Sequence, residues 1–243
     1  MSGVRQKLVR LEDRDRRLLE ELEVMRLINR DQAKLIGGFT SIRRTNVRLL
    51  SLVRAGILKQ VPLARGEPNG YVRSGMPVPK KPGEPPTLFA RHQLAVGAIY
   101  LLVKYGPVPG GLQLRRWVRF DQSLSKTIAL MPDGYCELEL AATINPNFLE
   151  IDLGTEALAV WQRKTQLYLQ FAVSGEFSKI FGQPQFRVLV IANSDHRART
   201  IQATVANTTA KIFWFSSFES IHHAGFWSPI WFRPMGGQPR SLF

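Results

Sequence analysis

The stretch Phe148-Leu-Glu-Ile-Asp-Leu-Gly-Thr155 decides how the longer part of this chain is read. Side chains alternate along a strand, so Leu149, Ile151 and Leu153 take one face while Glu150 and Asp152 take the other. Two carboxylates in an otherwise apolar strand are costly to bury unless a cation or hydrogen bonds meet them. The sequence from Thr155 to residue 173 then turns helical, with Val160, Trp161, Leu167, Tyr168 and Phe171 on one stripe and Lys164 in its middle. Lys164 lies about 12 Å along the axis from the start of that helix. A helix folding back over its own strand brings the ammonium level with Glu150. Which face of the sheet the helix covers is left open at this stage.

Pro132-Asp133, beside another strand, offers a third acid. Three hard oxygen donors, Asp133, Glu150 and Asp152, suit Mg²⁺ or Mn²⁺. A lysine near them would orient a water or stabilise developing charge in phosphodiester hydrolysis. A second reading is a Lys–carboxylate pair that only fixes the helix on the sheet, and a third has Lys164 snorkelling to solvent. Glu156 reads as a helix-start residue favoured by the macrodipole. Around this stretch the pattern gives a helix over 89–105, strands over 112–120, 127–140 and 148–153 with a turn at Asn145-Pro-Asn147, and a helix over 155–173. Strand 186–192, helix 195–206 and strand 211–216 follow, and the aromatic tail 221–243 shows no clear element. This is an α/β mixed-sheet core, α+β for the chain as a whole.

Upstream, three helical patterns run over Asp13–Met25, Arg30–Ile36 and Ile42–Ala55, with Asn29 and Ser41 as caps and Gly37-Gly38 and Gly56 as stops. Ile57–Leu63, a turn over Ala64–Gly70 and Tyr71–Arg73 read as a hairpin. Helix, short helix, Arg-rich helix and hairpin are the parts of a winged helix-turn-helix. In the third helix Ile42, Leu49, Leu50 and Val53 form the expected apolar stripe, with Arg44 and Arg48 opposite. The expected contacts to double-stranded DNA are Ser41, Arg43, Arg44, Thr45, Arg48 and, in the hairpin turn, Arg65. The bland alternatives are a solvated helix face or a protein-docking module.

Prolines at 77, 79, 82, 85 and 86 mark a linker. The expected organisation is therefore 1–75 winged helix, 76–88 linker, 89–220 nuclease-like domain and 221–243 tail. The formal charge is +14, and residues 1–75 hold 16 basic against 8 acidic side chains, net +8. That balance points to an anionic partner. One cysteine, Cys136, excludes a disulfide framework and fits a reducing compartment. No signal peptide is visible, and the apolar run Leu94–Val103 is too short to span a bilayer. The expectation is a cytoplasmic protein with no membrane partner, a homodimer being left open.

At Ile42–Leu58, Arg91–Val96, Pro132-Asp133 and Glu150-Ile-Asp-Leu-Gly-Thr-Glu156, with Lys164 and Tyr168 downstream, the chain resembles the plasmid replication-relaxation family. The resemblance covers roughly residues 12–220. It implies a winged helix followed by a divergent restriction-endonuclease-like domain of the PD-(D/E)xK type, in which Asp133 and Glu150 match the acidic metal ligands. The motif's lysine position, two residues after the second acid, holds Asp152, and Lys164 would be a migrated replacement. Two function classes follow: a DNA-binding protein of a plasmid or other mobile element acting in replication or relaxation, or a transcriptional regulator, with no cofactor; and an active Mg²⁺- or Mn²⁺-dependent DNA endonuclease. Neither a clustered histidine motif for a nicking transesterase nor a phosphate loop is present. His92, His196, His222 and His223 lack metal-ligand spacing. The tail aromatics Phe226, Trp227, Trp231 and Phe232 read as packing or dimer contacts.

Overall fold

Glu12 opens helix α1 (Asp13–Met25) through a reciprocal cap in which its own backbone N–H donates to Asp15 Oδ2 at 2.7 Å. The computed structural model describes residues 9–63, 65–78 and 85–243. After α1 come β1 (Ile28–Asn29) and α2 (Arg30–Gly37), whose Asn29 Oδ1 accepts from the backbone N–H groups of Asp31 and Gln32. Gly38, at φ 62°, ends α2 in the left-handed region that glycine enters without steric cost. Ser41 then caps α3 (Ile42–Arg54), accepting from Arg44 N. Strands β2 (Leu58–Val61) and β3 (Gly70–Arg73) complete an antiparallel sheet of order β1-β3-β2. Leu18, Leu22, Ile36, Leu49, Leu52 and Val72 are buried between the helices and this sheet.

The sequence places Leu50 in the apolar stripe of α3, but Leu50 is exposed and Thr45, Leu49 and Leu52 are the buried positions. The stripe is turned from the expected one because Thr45 satisfies its hydroxyl internally, on Ser41 O at 3.0 Å, and so packs at no polar cost.

Helix α4 (Pro86–Tyr105) follows the expected linker, of which residues 79–84 lie outside the described residues, as does Ala64 of the hairpin turn. Reading the sequence begins the second domain at residue 89. In the structure α4 meets the preceding helices: Gln32 Nε2 donates to Leu94 O at 2.9 Å and the Tyr100 hydroxyl to Glu21 at 2.6 Å. Gly97 permits the approach, since a Cβ there would lie 2.6 Å from Met25 Cε. Division by compactness accordingly falls at Leu101, giving units Met1–Leu101 and Leu102–Phe243.

The second unit is a seven-stranded sheet of order β10-β9-β8-β7-β6-β5-β4. Strands β4 (Gln113–Val118), β5 (Gly134–Leu140) and β6 (Thr143–Asp152) are antiparallel. β6, β7 (Arg187–Ala192) and β8 (Phe213–Ser217) are parallel, joined through α5 (Leu158–Val173) with α6 (Glu176–Phe181), and through α7 (Asp195–Ala206). The parallel centre is buried on both faces, so Val188–Ala192 reads as an unbroken apolar run. Tyr135, Phe148, Val190, Phe213 and Phe215 on one face pack with Trp161, Tyr168, Phe171, Phe177, Ile201 and Val205 of the helices. Cys136, at 1 % exposure, points from β5 into the opposite layer, its register partners being Trp117 and Asn147.

Four expectations change here. No strand runs over 127–133; β5 starts at Gly134. The turn expected at Asn145–Asn147 lies instead at Ala141-Ala142, both with positive φ (49° and 62°), and β6 runs straight through Pro146. Pro146 is tolerated because β6 gains its second neighbour, β7, only from Asn147 onward. Helix 155–173 starts at Leu158 and is followed by the short α6. Lastly, the aromatic tail is ordered: α8 (Phe218–Ala224), which carries His222 and His223, precedes β9 (Trp231–Arg233) and β10 (Gly236–Arg240), which extend the sheet. Among the described residues no helix is long and apolar enough to cross a membrane.

Candidate functional site

Strand alternation sends Phe148, Glu150 and Asp152 toward the α5–α7 layer, so the face left open by the sequence is the one α5 covers. Glu150 and Asp152 are each 1 % exposed, and each is met by a cation from a different helix. Lys164, in the middle of α5, donates from Nζ to Glu150 Oε2 at 2.9 Å and to the two Glu156 oxygens at 2.9 and 3.0 Å. Tyr168, one turn further on, donates its hydroxyl to the remaining Glu150 oxygen at 2.6 Å. Asp133 Oδ2 accepts from Ile151 N at 2.7 Å, which brings a further negative charge to the cluster.

These contacts set the protonation of the cluster. Burial raises the Glu150 carboxyl, to about 7, against the pull of the Lys164 ammonium and with a further push from Asp133. Burial favours loss of the Lys164 proton, but the charges of Glu150, Asp133 and Glu156 outweigh it and hold the ammonium above its ordinary range. Tyr168 is pushed well up by burial beside Glu150, so its hydroxyl stays a donor.

Asp152 belongs to a separate arrangement. Arg197 of α7 grips it with a two-pronged contact, Nε at 3.0 Å to Oδ1 and Nη2 at 2.8 Å to Oδ2. Trp161 Nε1 adds a bond at 2.8 Å and Gly154 N another at 2.6 Å. Burial opposes this charge, but the bonds from Arg197 and Trp161 win and hold the carboxyl below its ordinary value.

The expected residues Asp133, Glu150 and Lys164 are thus brought together, while Asp152 is drawn off to Arg197. Glu156, read as a helix-start residue, precedes α5 and closes over the Lys164 ammonium instead. Val160 of the expected stripe is exposed and Thr165 buried in its place. Sequence reasoning missed Arg197: its pairing depends on α7 lying beside the end of β6, a long-range fact with no local signal. The donor set can be compared with what a divalent ion requires. Both oxygens of Glu150 and of Asp152 are bonded to protein donors, and an ammonium stands where carboxylates converge. Among the described residues no three His, Cys, Asp or Glu side chains are grouped to hold a metal. The acids as arranged do not fit Mg²⁺ or Mn²⁺.

In the first unit, Arg43 and Arg44 are exposed at the N-terminal end of α3, beside the Ser41 cap and exposed Val47. Arg44 Nη1 makes one local bond, to Thr40 Oγ1 at 3.2 Å. Arg65 is exposed in the β2–β3 connection. The other two expected DNA contacts turn inward. Thr45 is 0 % exposed. Arg48 donates from Nε at 2.9 Å and from Nη2 to the fully buried Asp15, and from Nη2 to Arg10 O at 2.8 Å. The Arg48 guanidinium supplies what an isolated Asp15 would lack, because burial opposes the Asp15 charge and the arginine restores it, leaving its carboxyl below the ordinary value.

A family model described as replication-relaxation matches residues 3–183. No curated protein and no solved structure matches the chain.

Proposed function

Because the chain belongs to the replication-relaxation family, we propose that it is a double-stranded-DNA-binding protein acting in the replication or relaxation of a plasmid or other mobile element. The observation that carries this reading is the first unit's order α1-β1-α2-α3-β2-β3 around a β1-β3-β2 sheet, with Arg43 and Arg44 exposed at the start of α3. We read that order as a winged helix-turn-helix, in which the N-terminal residues of the third helix meet base edges and the hairpin flanks the duplex. Ser41, Arg43 and Arg44 are the contacts on the helix, with Arg65 on the wing. Fluorescence anisotropy on a labelled duplex tests it. Arg43→Ala/Arg44→Ala is expected to weaken binding roughly tenfold or more, and to leave the unfolding midpoint in place. Undiminished binding would sink the assignment.

The second unit, on this reading, is a nuclease-like scaffold that does not cleave. Its acids are neutralised from within by Lys164 and Arg197 rather than by a divalent ion. Incubation of the protein with supercoiled DNA and Mg²⁺ or Mn²⁺ is expected to leave the DNA intact. Nicking that disappears in Glu150→Gln would favour the hydrolytic alternative.

A further inference from the structure

The second unit carries a cluster of arginines beyond the residues that match the family model. Arg187 starts β7, Trp214 lies in β8, Arg233 ends β9 and Arg240 ends β10. Trp214 is in register with Leu189, two residues from Arg187, so Trp214 and Arg187 share a sheet face. The guanidinium carbons of Arg187 and Arg233 stand 5.4 and 4.8 Å from the centre of the Trp214 ring. Guanidinium–indole contact of this kind orders the two forks and lowers the cost of holding them in place.

No Asp or Glu side chain pairs with them among the described residues. None of the three arginines has a carboxylate within ion-pair distance among the described residues, and residues 220–243 contain no Asp or Glu. Among the described residues Arg187 bonds to neutral acceptors alone, Leu242 O at 2.7 Å and Asn145 Oδ1 at 3.3 Å, and Arg233 to Ala210 O at 3.2 Å. Each guanidinium has five N–H donors, so most are unspent. The indole N–H of Trp214 is a further donor without an acceptor among the described residues. Burial, and then the neighbouring guanidinium, lower the proton affinity of both Arg187 and Arg233, the sign of like charges gathered without a counter-charge. Unpaired, half-buried cations in one place are costly unless an anion completes them. By contrast, Arg48 and Arg197 in the same chain are each paired with a buried acid.

We propose that Arg187 and Arg233 on Trp214, together with Arg240 on the strand beside Arg233, form a phosphate-binding site that holds the DNA backbone, a second contact separate from α3. The planar fork of arginine matches the oxygens of a phosphodiester, and such contacts position a duplex without reading its sequence. The site rests on the reading of the chain as DNA-binding but not on α3 being the reader.

The test compares the salt dependence of duplex binding by the full chain and by Arg233→Gln/Arg240→Gln. Each phosphate contact contributes about 0.9 to the slope of log K against log salt, so the double variant is expected to flatten it by about 1.8 and to weaken binding roughly 10–100-fold near 0.1 M salt. Arg233→Lys/Arg240→Lys, which keeps the charge, is expected to keep most of the slope. If the double glutamine variant unfolds, the exposed position alone, Arg240→Gln, is expected to lower the slope by about 0.9. An unchanged slope in a folded variant overturns the site. Saturable binding of inorganic phosphate that the variant loses, with the DNA slope unaltered, makes it a small-anion site and overturns the DNA assignment. The Arg43→Ala/Arg44→Ala protein separates the two readings. Binding lost there but untouched by the β9–β10 substitutions removes only this site, and the reverse result removes only the α3 assignment.

Discussion

At Lys164 a single ammonium serves two carboxylates, and the cost of losing it can be stated. Lys164→Met leaves Glu150 buried with Tyr168 as its one remaining donor among the described residues, and removing one partner of a buried pair costs about 3–5 kcal/mol. Urea unfolding should therefore show a large fall in midpoint. The loss has a pH signature. A carboxyl raised above its unfolded value of 4.5 binds more protons folded than unfolded, so its contribution falls as pH climbs from that value through its folded pKa, about 7 in the wild type. Without the ammonium Glu150 moves higher still, and the variant is expected to lose more stability at pH 8 than at pH 5. A deficit independent of pH would mean that the pair contributes packing alone. The meeting of Lys164 with Glu150 was legible in the sequence, because a lysine in an apolar stripe and an acid in an apolar strand each demand a partner and helix rise makes them level. Glu156 and Arg197 were not, since neither side chain breaks a local pattern.

At the scale of elements, α3 separates two uses of arginine. Arg48 lies on the edge of the buried stripe and neutralises Asp15, whereas Arg43 and Arg44 lie on the open face. Arg48→Ala is expected to destabilise the protein by about 3 kcal/mol, at the low end for a buried pair because the arginine keeps 18 % of its exposure. Arg43→Ala should shift stability by no more than about 0.5 kcal/mol. Equal effects of the two on unfolding midpoints would contradict this division. Helical spacing alone put Arg48 on the outer face, because the position of the stripe is fixed by which small polar side chain can be buried, here Thr45. The β5–β6 turn was hidden for a related reason. Left-handed pairs in two-residue hairpins usually advertise themselves as Asn-Gly, and Ala141-Ala142 carries no such signal. In the tail, Gly, Pro and aromatic residues broke the alternation by which β9 and β10 would otherwise be recognised.

For the whole molecule the formal charge is +14, and its named cations divide by role: Arg43 and Arg44 stand exposed on α3, Arg187, Arg233 and Arg240 gather in the second unit, and Arg48, Lys164 and Arg197 are spent on internal acids. Composition alone pointed to an anionic partner; the packing separates the arginines spent on internal acids from those that are not. The mixed sheet was legible from its parallel centre, whose apolar run and alternating acids fix β6 and β7, and not from its edges, where pairing depends on distant strands. One further property follows from the layer behind β5. The chain's single thiol, on Cys136, is sealed within the sheet and its pKa is pushed up to about 12 by burial. Alkylating reagents require the thiolate and access to it. Maleimide labelling at neutral pH should therefore proceed only as fast as the second unit opens, and adding urea below the midpoint should accelerate it. The cysteine is a built-in clock for that opening, and rapid modification of the native protein would show that the clock face is not covered.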